Sequence, residues 1–513
     1  MQDLLTHPTG DAQIGTLAPV SGPIAVDTFG GRIHVDWNPD AAVTPLGQLP
    51  FFIEFLHVSG LFDDWVSQCP LSWTSPNAPN KRDVLGTVLL SILSGHQRYA
   101  HINALRGDGV NPELLGMTKV VSEDSVRRGF AQLDEEAGIS WLQTSLQQVY
   151  APLLGESWIL DGDATIKTLY GKQEGAEVGY NPHKPGRPSH TYHSYMLANL
   201  RLMLDVDVQS GKQVASKHSA PGLWALLNRI PRDHWPALIR GDRDWGTEAN
   251  MQAAEQAGVP YLFKQRLTKI TQRLIERLMR DSHWMKTGQG WQAAESTLRL
   301  TGWSRARRIV VLRRQIQKNL AVVRQDPQGP LQLSFTELSD DITVYEYGVL
   351  VTTLDLEALS VAQLYRERAD AENNFDELKN HWGWGGFTTQ DLKRCRFMAR
   401  ITALIYNWWS LFVRLANPDQ HTEAISSRPL MLYAIGKQTR HAGQTRLTIS
   451  SPHADAGKVE QSYRRIAAFF KELRSTAEQL TSLQRWCRIL SLALVKYLRG
   501  RQLATTPWLP APT

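Results

Sequence analysis

The alternation of apolar and polar positions divides the chain into a helical beginning, a mixed middle and a helical end. Residues from about 45 to 150 follow a helical period. There, KRDVLGTVLLSILSGHQRYAHINALRGD predicts one long helix, and SEDSVRRGFAQLDEE predicts another with Ser122 as its N-cap. Helical patterns return after residue 386, where FMARITALIYNWWSLFVRLA is apolar but too short and too interrupted to span a bilayer. We therefore expect helical terminal regions around a mixed centre.

Between these regions, short apolar runs bounded by turn residues predict strands. SWILDGDATIKTLYG indicates a strand that enters a turn, and HSYMLANLRLMLDVDVQSGKQVASKH indicates two strands joined at residues 209–212. A short helical stretch follows near Leu223, then a buried strand in PALIRGDRDWG, a helix, and a further strand in PYLFKQ. This succession predicts an α/β core that opens with three antiparallel strands.

Acidic residues stand at the ends of two of these strands. Asp161 and Asp163 point to the same face of an extended strand, because side chains alternate with a period of 2. Asp242 directly follows the second apolar strand, whereas Asp244 is the better cap for the helix that begins near Gly246. Catalytic groups collect at strand ends in α/β sheets. A solvated turn rich in Asp and Gly is the alternative interpretation.

A later helix carries a polar stripe at fixed spacing. LYRERADAENNFDELKN contains no Pro or Gly, and Ser360 is expected to cap its start. At about 100° per residue, Tyr365, Arg368, Glu372 and Lys379 share a sector of roughly 60° and extend over roughly 21 Å. A carboxylate among two cations and a phenol suits the binding of a phosphodiester strand. A solvated polar face is the alternative interpretation.

The stretch between Asp242 and Glu372 contains a basic helix and then a β-rich segment. KQRLTKITQRLIERLMRD is amphipathic, and five like charges repel one another on its polar face, a repulsion that a phosphate backbone would relieve. These five residues are Arg266, Lys269, Arg273, Arg277 and Arg280. From His283 to Thr353, WQAAESTLRL, ARRIVVLRRQI, LAVVRQ, LQLSFTEL and ITVYEYGVLVTT predict strands.

Composition narrows the class of protein. The 513 residues include 42% hydrophobic and 21% charged residues, which is typical of a soluble globular protein of two to four domains. Neither a signal pattern nor a membrane span is evident, and the three cysteines lack metal-ligand spacing. We therefore expect a cytoplasmic protein. A net charge of +6 and a pI near 9.1 permit nucleic-acid binding without establishing it.

The spacing Tyr, two residues, Arg, three residues, Glu, six residues, Lys resembles the signature helix of bacterial DDE transposases of the insertion-sequence 4 superfamily. The surrounding text, LYRERADAENNFDELKNHWGWGGFTTQDLKRCR, is most similar to the 1380-type group. The resemblance implies a ribonuclease-H-like catalytic core, interrupted by a β-rich insertion and flanked by helical N- and C-terminal regions.

The same resemblance implies the catalytic residues. Asp163, Asp242 and Glu372 would hold two Mg²⁺ ions, with Mn²⁺ as a substitute. The context Asp163-Ala164-Thr165 matches the family pattern for the first acid, and Asp161 is the alternative. Three carboxylates suit this role, because hard cations that serve phosphoryl transfer prefer oxygen ligands.

The resemblance further implies that Tyr365, Arg368 and Lys379 contact DNA at the scissile phosphate. Arg266, Lys269, Arg273 and Arg277 on the basic helix are expected to bind the DNA backbone as well. In relatives the β insertion stacks a flipped base on tryptophan, for which the candidate residues here are Trp284, Trp291 and Trp303.

We thus expect a transposase that cuts the ends of an insertion sequence and joins them to target DNA, as a homodimer on paired ends in the bacterial nucleoid. The expected divisions are a helical region at 1–150 that binds DNA ends, core segments at 151–265 and 356–400, the insertion at 266–355, and a dimerising region at 401–513. A helix-turn-helix with Arg127 and Arg128 would serve the first role, and a scaffold that packs on the catalytic core is the alternative. For the last region, the alternative to dimerisation is a helical lid on the same subunit. The alternatives are a structure-specific nuclease with a ribonuclease-H-like fold and a transposase-derived DNA-binding protein without catalysis.

Overall fold

A computed structural model describes residues 22–73, 75–181, 184–213, 215–281, 283–316, 344–476 and 479–504. The N-terminal part is mainly helical. Its elements are β1 (Ile24–Thr28), β2 (Gly31–Val35), β3 (Val43–Thr44), α1 (Leu49–Ser59), α2 (Leu61–Ser67), α3 (Lys81–Leu93), α4 (Asn111–Leu114), α5 (Glu123–Gln132) and α6 (Glu135–Tyr150). Ser122 is the N-cap of α5, as predicted, and its side chain accepts a hydrogen bond from the amide of Ser125.

The predicted helix from residue 81 to 108 is wrong in its length. Helix α3 ends at Leu93, and Gly95 adopts a left-handed backbone with φ +77°. The chain then forms a short 3-10 helix at Tyr99–Leu105. The periodicity of apolar residues continues through this break, which is why the pattern suggested a single helix.

The central part contains the predicted α/β core. Its elements are β4 (Ile159–Thr168), β5 (Glu177–Val178), β6 (Pro188–Leu197), β7 (Leu202–Ser210), α7 (Ala215–Asn228), β8 (Leu238–Gly241), α8 (Glu248–Ala257) and β9 (Tyr261–Lys264). The strand order is β7-β6-β4-β8-β9, antiparallel from β7 to β4 and parallel from β4 to β9. This arrangement confirms the prediction of a ribonuclease-H-like core with helical flanks.

The insertion continues the same sheet. Its elements are α9 (Lys269–Asp281), β10 (Met285–Gly288), β11 (Trp291–Leu298), β12 (Arg307–Ile316) and β13 (Val344–Thr352). Strand β13 pairs antiparallel with β9, so that ten strands of the described residues belong to one sheet. The predicted strands LAVVRQ and LQLSFTEL fall outside the described residues.

The C-terminal part is helical apart from one hairpin. Its elements are α10 (Ala358–Arg366), α11 (Ala369–Asn380), α12 (Leu392–Ala416), α13 (Ala424–Met431), β14 (Ile435–His441), β15 (Gln444–Ser450), α14 (Ala456–Ser475) and α15 (Ser482–Ala493). The predicted cap at Ser360 is wrong, because α10 already begins at Ala358 with Glu357 at the N-cap position. The prediction of one continuous helix for LYRERADAENNFDELKN is also wrong, because a turn at residues 367–368 separates α10 from α11 and places Tyr365 on the first helix and Glu372 on the second.

Helix α12 is buried along nearly its whole length and joins the two terminal regions. Trp65 of α2 stacks on Trp141 of α6 with 5.7 Å between ring centroids and meets the ring edge of Trp408 at 5.6 Å. Phe52 of α1 packs edge-on against Trp409 at 5.3 Å. The terminal helices therefore share one aromatic core around α12.

Within the described part of the chain, no helix has the length and apolarity needed to cross a membrane.

Candidate active site

Two of the three predicted acids lie on neighbouring parallel strands. In the register of β4 and β8, Gly162 is opposite Gly241. Asp163 is the next residue of β4, and Asp242 directly follows β8, so the two acids extend from the end of the pairing between adjacent strands. The expected strand end is confirmed for Asp242, which directly follows β8, but it is wrong for Asp163, the fifth of the ten residues of β4. The pairing of the two strands brings the acids together.

Because Gly162 and Gly241 have no side chains, Trp245 can pack against both strands next to these acids. A Cβ atom on Gly162 would lie 2.5 Å from the ring of Trp245, and one on Gly241 would lie 2.3 Å from its side chain. Trp245 is buried. Its contact with both strands was not foreseen, although the small residue that precedes each acid was a signal for close packing at these positions.

Asp161 lies on the same strand but is occupied by a structural ion pair. Arg240 of β8 donates to both of its carboxylate oxygens at 2.7 Å, and the two side chains are only 3% and 1% exposed. Arg240 also donates to the backbone carbonyl of Leu364 on α10. Asp161 thus holds, through Arg240, the helix that leads to the polar stripe.

Arg368 connects the strand acids to the helix acid. Its guanidinium donates to Asp163 of β4 and lies 3.8 Å from Glu372, one turn further along the helix. The Glu372 side chain is 71% exposed, whereas those of Arg368 and Asp163 are 5% and 15% exposed. A buried cation with a carboxylate on either side is therefore the centre of the site.

The pKa values of Asp163, Asp242 and Arg368 reflect the close approach of several charged groups in a partly buried site. Burial raises the pKa of Asp163 to about 6, against the lowering effect of Arg368, and the charges of Asp242 and Glu372 raise it further. Burial also raises the pKa of Asp242. Burial alone would lower the pKa of Arg368, but the charge of Asp163 raises it, so the guanidinium stays charged.

The other two residues of the stripe face the same acids. Burial raises the pKa of Tyr365 to about 12, and the negative charges of Asp242, Glu372 and Asp163 act in the same direction. The Tyr365 phenol therefore keeps its proton. Burial lowers the pKa of Lys379, against the raising effects of the charges of Asp376 and Asp163. Arg368 is the stripe residue that contacts Asp163 directly, and the charge of Asp163 also acts on Tyr365 and Lys379.

Helix α11 is anchored by polar residues that sequence reasoning missed. The buried carboxylate of Glu377 contacts His421 at 2.7 Å and accepts hydrogen bonds from Trp382 at 3.0 Å and from the amide of Ala424 at 2.8 Å. These contacts fix the inner face of the helix, while Glu372 faces outwards.

The donor set fits a divalent cation by its chemistry. Asp163, Asp242 and Glu372 offer oxygen ligands, and the guanidinium of Arg368 that lies among them shows that the site accepts positive charge. Among the residues that the structure describes, no three acidic, histidine or cysteine side chains are already gathered closely enough to hold a metal ion.

The basic helix α9 exposes its charges as predicted. Leu274, Ile275 and Leu278 are buried, and the basic residues lie on the exposed side. Arg266, just before the helix, pairs with Asp244 at 2.6 Å, and Arg277 donates to Ser296 at 3.3 Å. The remaining exposed cations of this face are Lys269, Arg273 and Arg280.

The candidate tryptophans are covered by arginines or buried. The guanidinium carbon of Arg313 lies 3.9 Å from the ring centroid of Trp284, and that of Arg314 lies 5.0 Å from Trp291. Trp303 is buried.

The predicted helix-turn-helix residue Arg127 is engaged within the terminal helices. It forms ion pairs with Glu123 and Asp124 of its own helix, at 2.6 and 3.3 Å. Its backbone carbonyl accepts from Arg394 of α12 at 3.4 Å.

Comparison with known proteins gives one family. A family model described as transposase DDE domain group 1 matches residues 74–470. No curated protein sequence matches the chain. One similar solved structure is a cryo-electron microscopy structure of the piggyBac transposase synaptic complex with hairpin DNA. It has 10% sequence identity and a TM-score of 0.36, over 88% of this chain and 86% of that chain.

Proposed function

We propose that this chain, which belongs to the family of transposases with a group 1 DDE domain, cleaves the ends of an insertion sequence and joins them to target DNA. The observation that carries the proposal is that Arg368 lies between Asp163 and Glu372, while Asp242 follows the strand adjacent to that of Asp163, within a ribonuclease-H-like core. Asp161 is the weaker candidate for the first ligand because Arg240 occupies both of its oxygens.

Asp163, Asp242 and Glu372 would hold two Mg²⁺ ions, and Mn²⁺ would serve in their place. When bound, such ions activate an attacking oxygen and stabilise a leaving oxygen in phosphoryl transfer. The raised pKa values of Asp163 and Asp242 support this assignment, because buried acids gain most when a cation is added.

The remaining stripe residues would position the scissile phosphate. Tyr365 keeps its proton and can donate a hydrogen bond to a phosphate oxygen. Arg368 and Lys379 would supply positive charge, which favours binding of a DNA strand close to Asp163. These contacts position and stabilise charge and take no covalent part in the reaction.

The basic face of α9 would bind the DNA backbone through Arg266, Lys269, Arg273 and Arg277. Exposed cations that repel one another gain free energy when phosphates replace their counterions. We further propose a homodimer on paired element ends, since each end requires an active site, and a location in the bacterial cytoplasm at the nucleoid. The buried free thiols of Cys69, Cys395 and Cys487 are compatible with that reducing compartment.

The test is a cleavage and strand-transfer assay with Mg²⁺ on DNA that carries the terminal repeats of the element. Glu372→Gln, Asp163→Asn and Asp242→Asn should each abolish cleavage and joining. Glu460→Gln, which changes an exposed acid on α14, is the control and should retain both activities. Cutting without joining would favour a structure-specific nuclease, and tight binding without cutting would favour a non-catalytic DNA-binding protein.

A further inference from the structure

Two exposed tyrosines lie between β4, the strand that carries Asp163, and β6. Tyr170 follows the end of β4, and Tyr180 follows β5. They are 68% and 59% exposed. Aromatic rings usually bury their faces. Two rings this open to solvent in the segment between β4 and β6 suggest a surface that binds a ligand.

Cations are held against both rings. The ammonium nitrogen of Lys184 lies 4.9 Å from the ring centroid of Tyr170 and donates to its hydroxyl, and the guanidinium carbon of Arg187 lies 5.8 Å from the same centroid. Arg243 lies 6.0 Å from the centroid of Tyr180 and donates to its hydroxyl at 3.2 Å. We call these five residues the tyrosine patch.

The acidic residues of the same loop are engaged elsewhere. Glu174 accepts from the amide of Leu392 at 3.0 Å, and Glu177 accepts from Ser210 and pairs with Lys212 at 3.3 Å. The charges that the tyrosine patch presents to solvent are therefore positive.

The loop that carries the patch is tied to the core sheet. Asn181 donates to the hydroxyl of Thr168 at 3.0 Å and accepts from the amide of Lys184 at 3.1 Å. The amide of Leu169 donates to the carbonyl of Pro188 at 2.8 Å. The rings are thus held in place before any ligand arrives, which lowers the entropy lost on binding.

One residue of the tyrosine patch, Arg243, is adjacent to the candidate active site. Arg243 is adjacent in sequence to Asp242, and its charge acts on that carboxyl. Tyr170 is separated from Asp163 by at most about 25 Å of extended chain. A DNA strand that passes the acids can therefore reach both rings.

We propose that the tyrosine patch binds DNA with unpaired bases next to the cleavage point, through base stacking on Tyr170 and Tyr180 and phosphate contacts to Lys184, Arg187 and Arg243. Aromatic faces stack bases of any sequence, whereas bases within a duplex are already stacked and unavailable. The proposal rests on the proposed function for its substrate, DNA near the scissile phosphate. It adds that the strand beyond that phosphate is bound in an unpaired form.

The test is DNA binding without chemistry, measured by fluorescence anisotropy in Ca²⁺ with the full chain. One probe is a duplex of the element end with a single-stranded overhang, and the other is the blunt duplex of the same sequence. Tyr170→Leu and Tyr180→Leu should each weaken binding of the overhang probe about tenfold, the size of one base stack, and leave the blunt probe unchanged. Tyr170→Phe and Tyr180→Phe should keep wild-type affinity for both.

The proposal would be overturned by any of three results. These are weaker binding by the Phe variants, equal weakening of both probes by the Leu variants, and unchanged affinity in the Leu variants. Circular dichroism of every variant excludes misfolding as the cause. The outcome is independent of cleavage. If the protein fails to cut its element ends yet shows the overhang-specific effect, this inference stands and the proposed function is wrong. If the protein cuts and joins DNA without that effect, the proposed function stands and this inference is wrong.

Discussion

Arg368 donates a hydrogen bond to Asp163 although the two residues are 205 positions apart in the chain. Both side chains are largely shielded from solvent, and the same guanidinium lies 3.8 Å from Glu372. The protein thus neutralises part of its own acidic site with an arginine. Under the proposed function, divalent ions that bind Asp163 and Glu372 would compete with this pairing and free Arg368 to contact a phosphate.

The first prediction concerns this arginine. Arg368→Gln leaves Asp163 buried without its partner, so the metal-free protein should lose about 3–5 kcal/mol of unfolding free energy. Ca²⁺ should then raise the Tm of Arg368→Gln more than that of the wild type, because the ion replaces the missing charge. Differential scanning calorimetry with and without Ca²⁺ measures both effects. Arg266→Gln, an exposed change, is the control; equal Ca²⁺ shifts in all three proteins would contradict the idea.

The second prediction is the pH dependence of metal binding. The pKa of Asp163 is raised to about 6, so this carboxyl is protonated in the folded state below that pH, and a metal must compete with the proton. Affinity for Ca²⁺ should be full above about pH 7 and fall as the pH drops through about 6. Isothermal titration calorimetry across this range measures the affinity. A constant affinity down to about pH 5 would exclude Asp163 as a ligand with a raised pKa.

The third prediction separates the two aspartates of β4. Asp161→Asn leaves the charge of Arg240 buried without a partner and should lower the unfolding free energy by about 3–5 kcal/mol, as measured by chemical denaturation. Asp163→Asn should instead abolish Ca²⁺ binding. A stable Asp161→Asn variant that no longer binds Ca²⁺ would reverse the assignment.

The fourth prediction concerns the close packing of Trp245. Gly162→Ala would place a methyl group 2.5 Å from its ring, so the indole must shift, and the unfolding free energy should fall by about 1–3 kcal/mol. Gly457→Ala on α14 meets no atom within 4 Å and serves as the matched control; it should be neutral or slightly stabilising in a helix. Thermal unfolding of the two variants decides the matter, and equal Tm values would argue against the contact.

The fifth prediction addresses helix α9. Arg273→Gln combined with Arg277→Gln should weaken duplex binding irrespective of sequence and reduce the salt slope by about 0.9 for each phosphate that is no longer neutralised. Lys471→Gln on α14 removes an exposed charge from another helix and should change neither quantity. Anisotropy titrations at several salt concentrations provide the slopes. An unchanged slope in the double variant would mean that α9 faces away from the DNA.

The errors in the sequence-based interpretation have a common origin. The periodicity across Gly95 suggested one helix where a left-handed glycine ends it, and the Ser360 pattern suggested a cap where α10 had already begun. Both signals are local preferences of at most about 2 kcal/mol, and the packing of the surrounding chain outweighs them.

The sequence alone determined the class of fold and the strand that leads to each acid, because these follow from periodicities within a few residues. It also singled out Tyr365, Arg368, Glu372 and Lys379, although the turn at residues 367–368 divides the helix that was expected to carry them. The tertiary structure decided which partner each charge takes. Arg240 holds Asp161 and Arg368 holds Asp163, across distances in the chain that no local pattern spans. The strand register that sets Gly162 opposite Gly241, and so brings Asp163 and Asp242 together, is likewise a property of the folded sheet, since hydrogen bonds between strands depend on pairing and not on either strand alone.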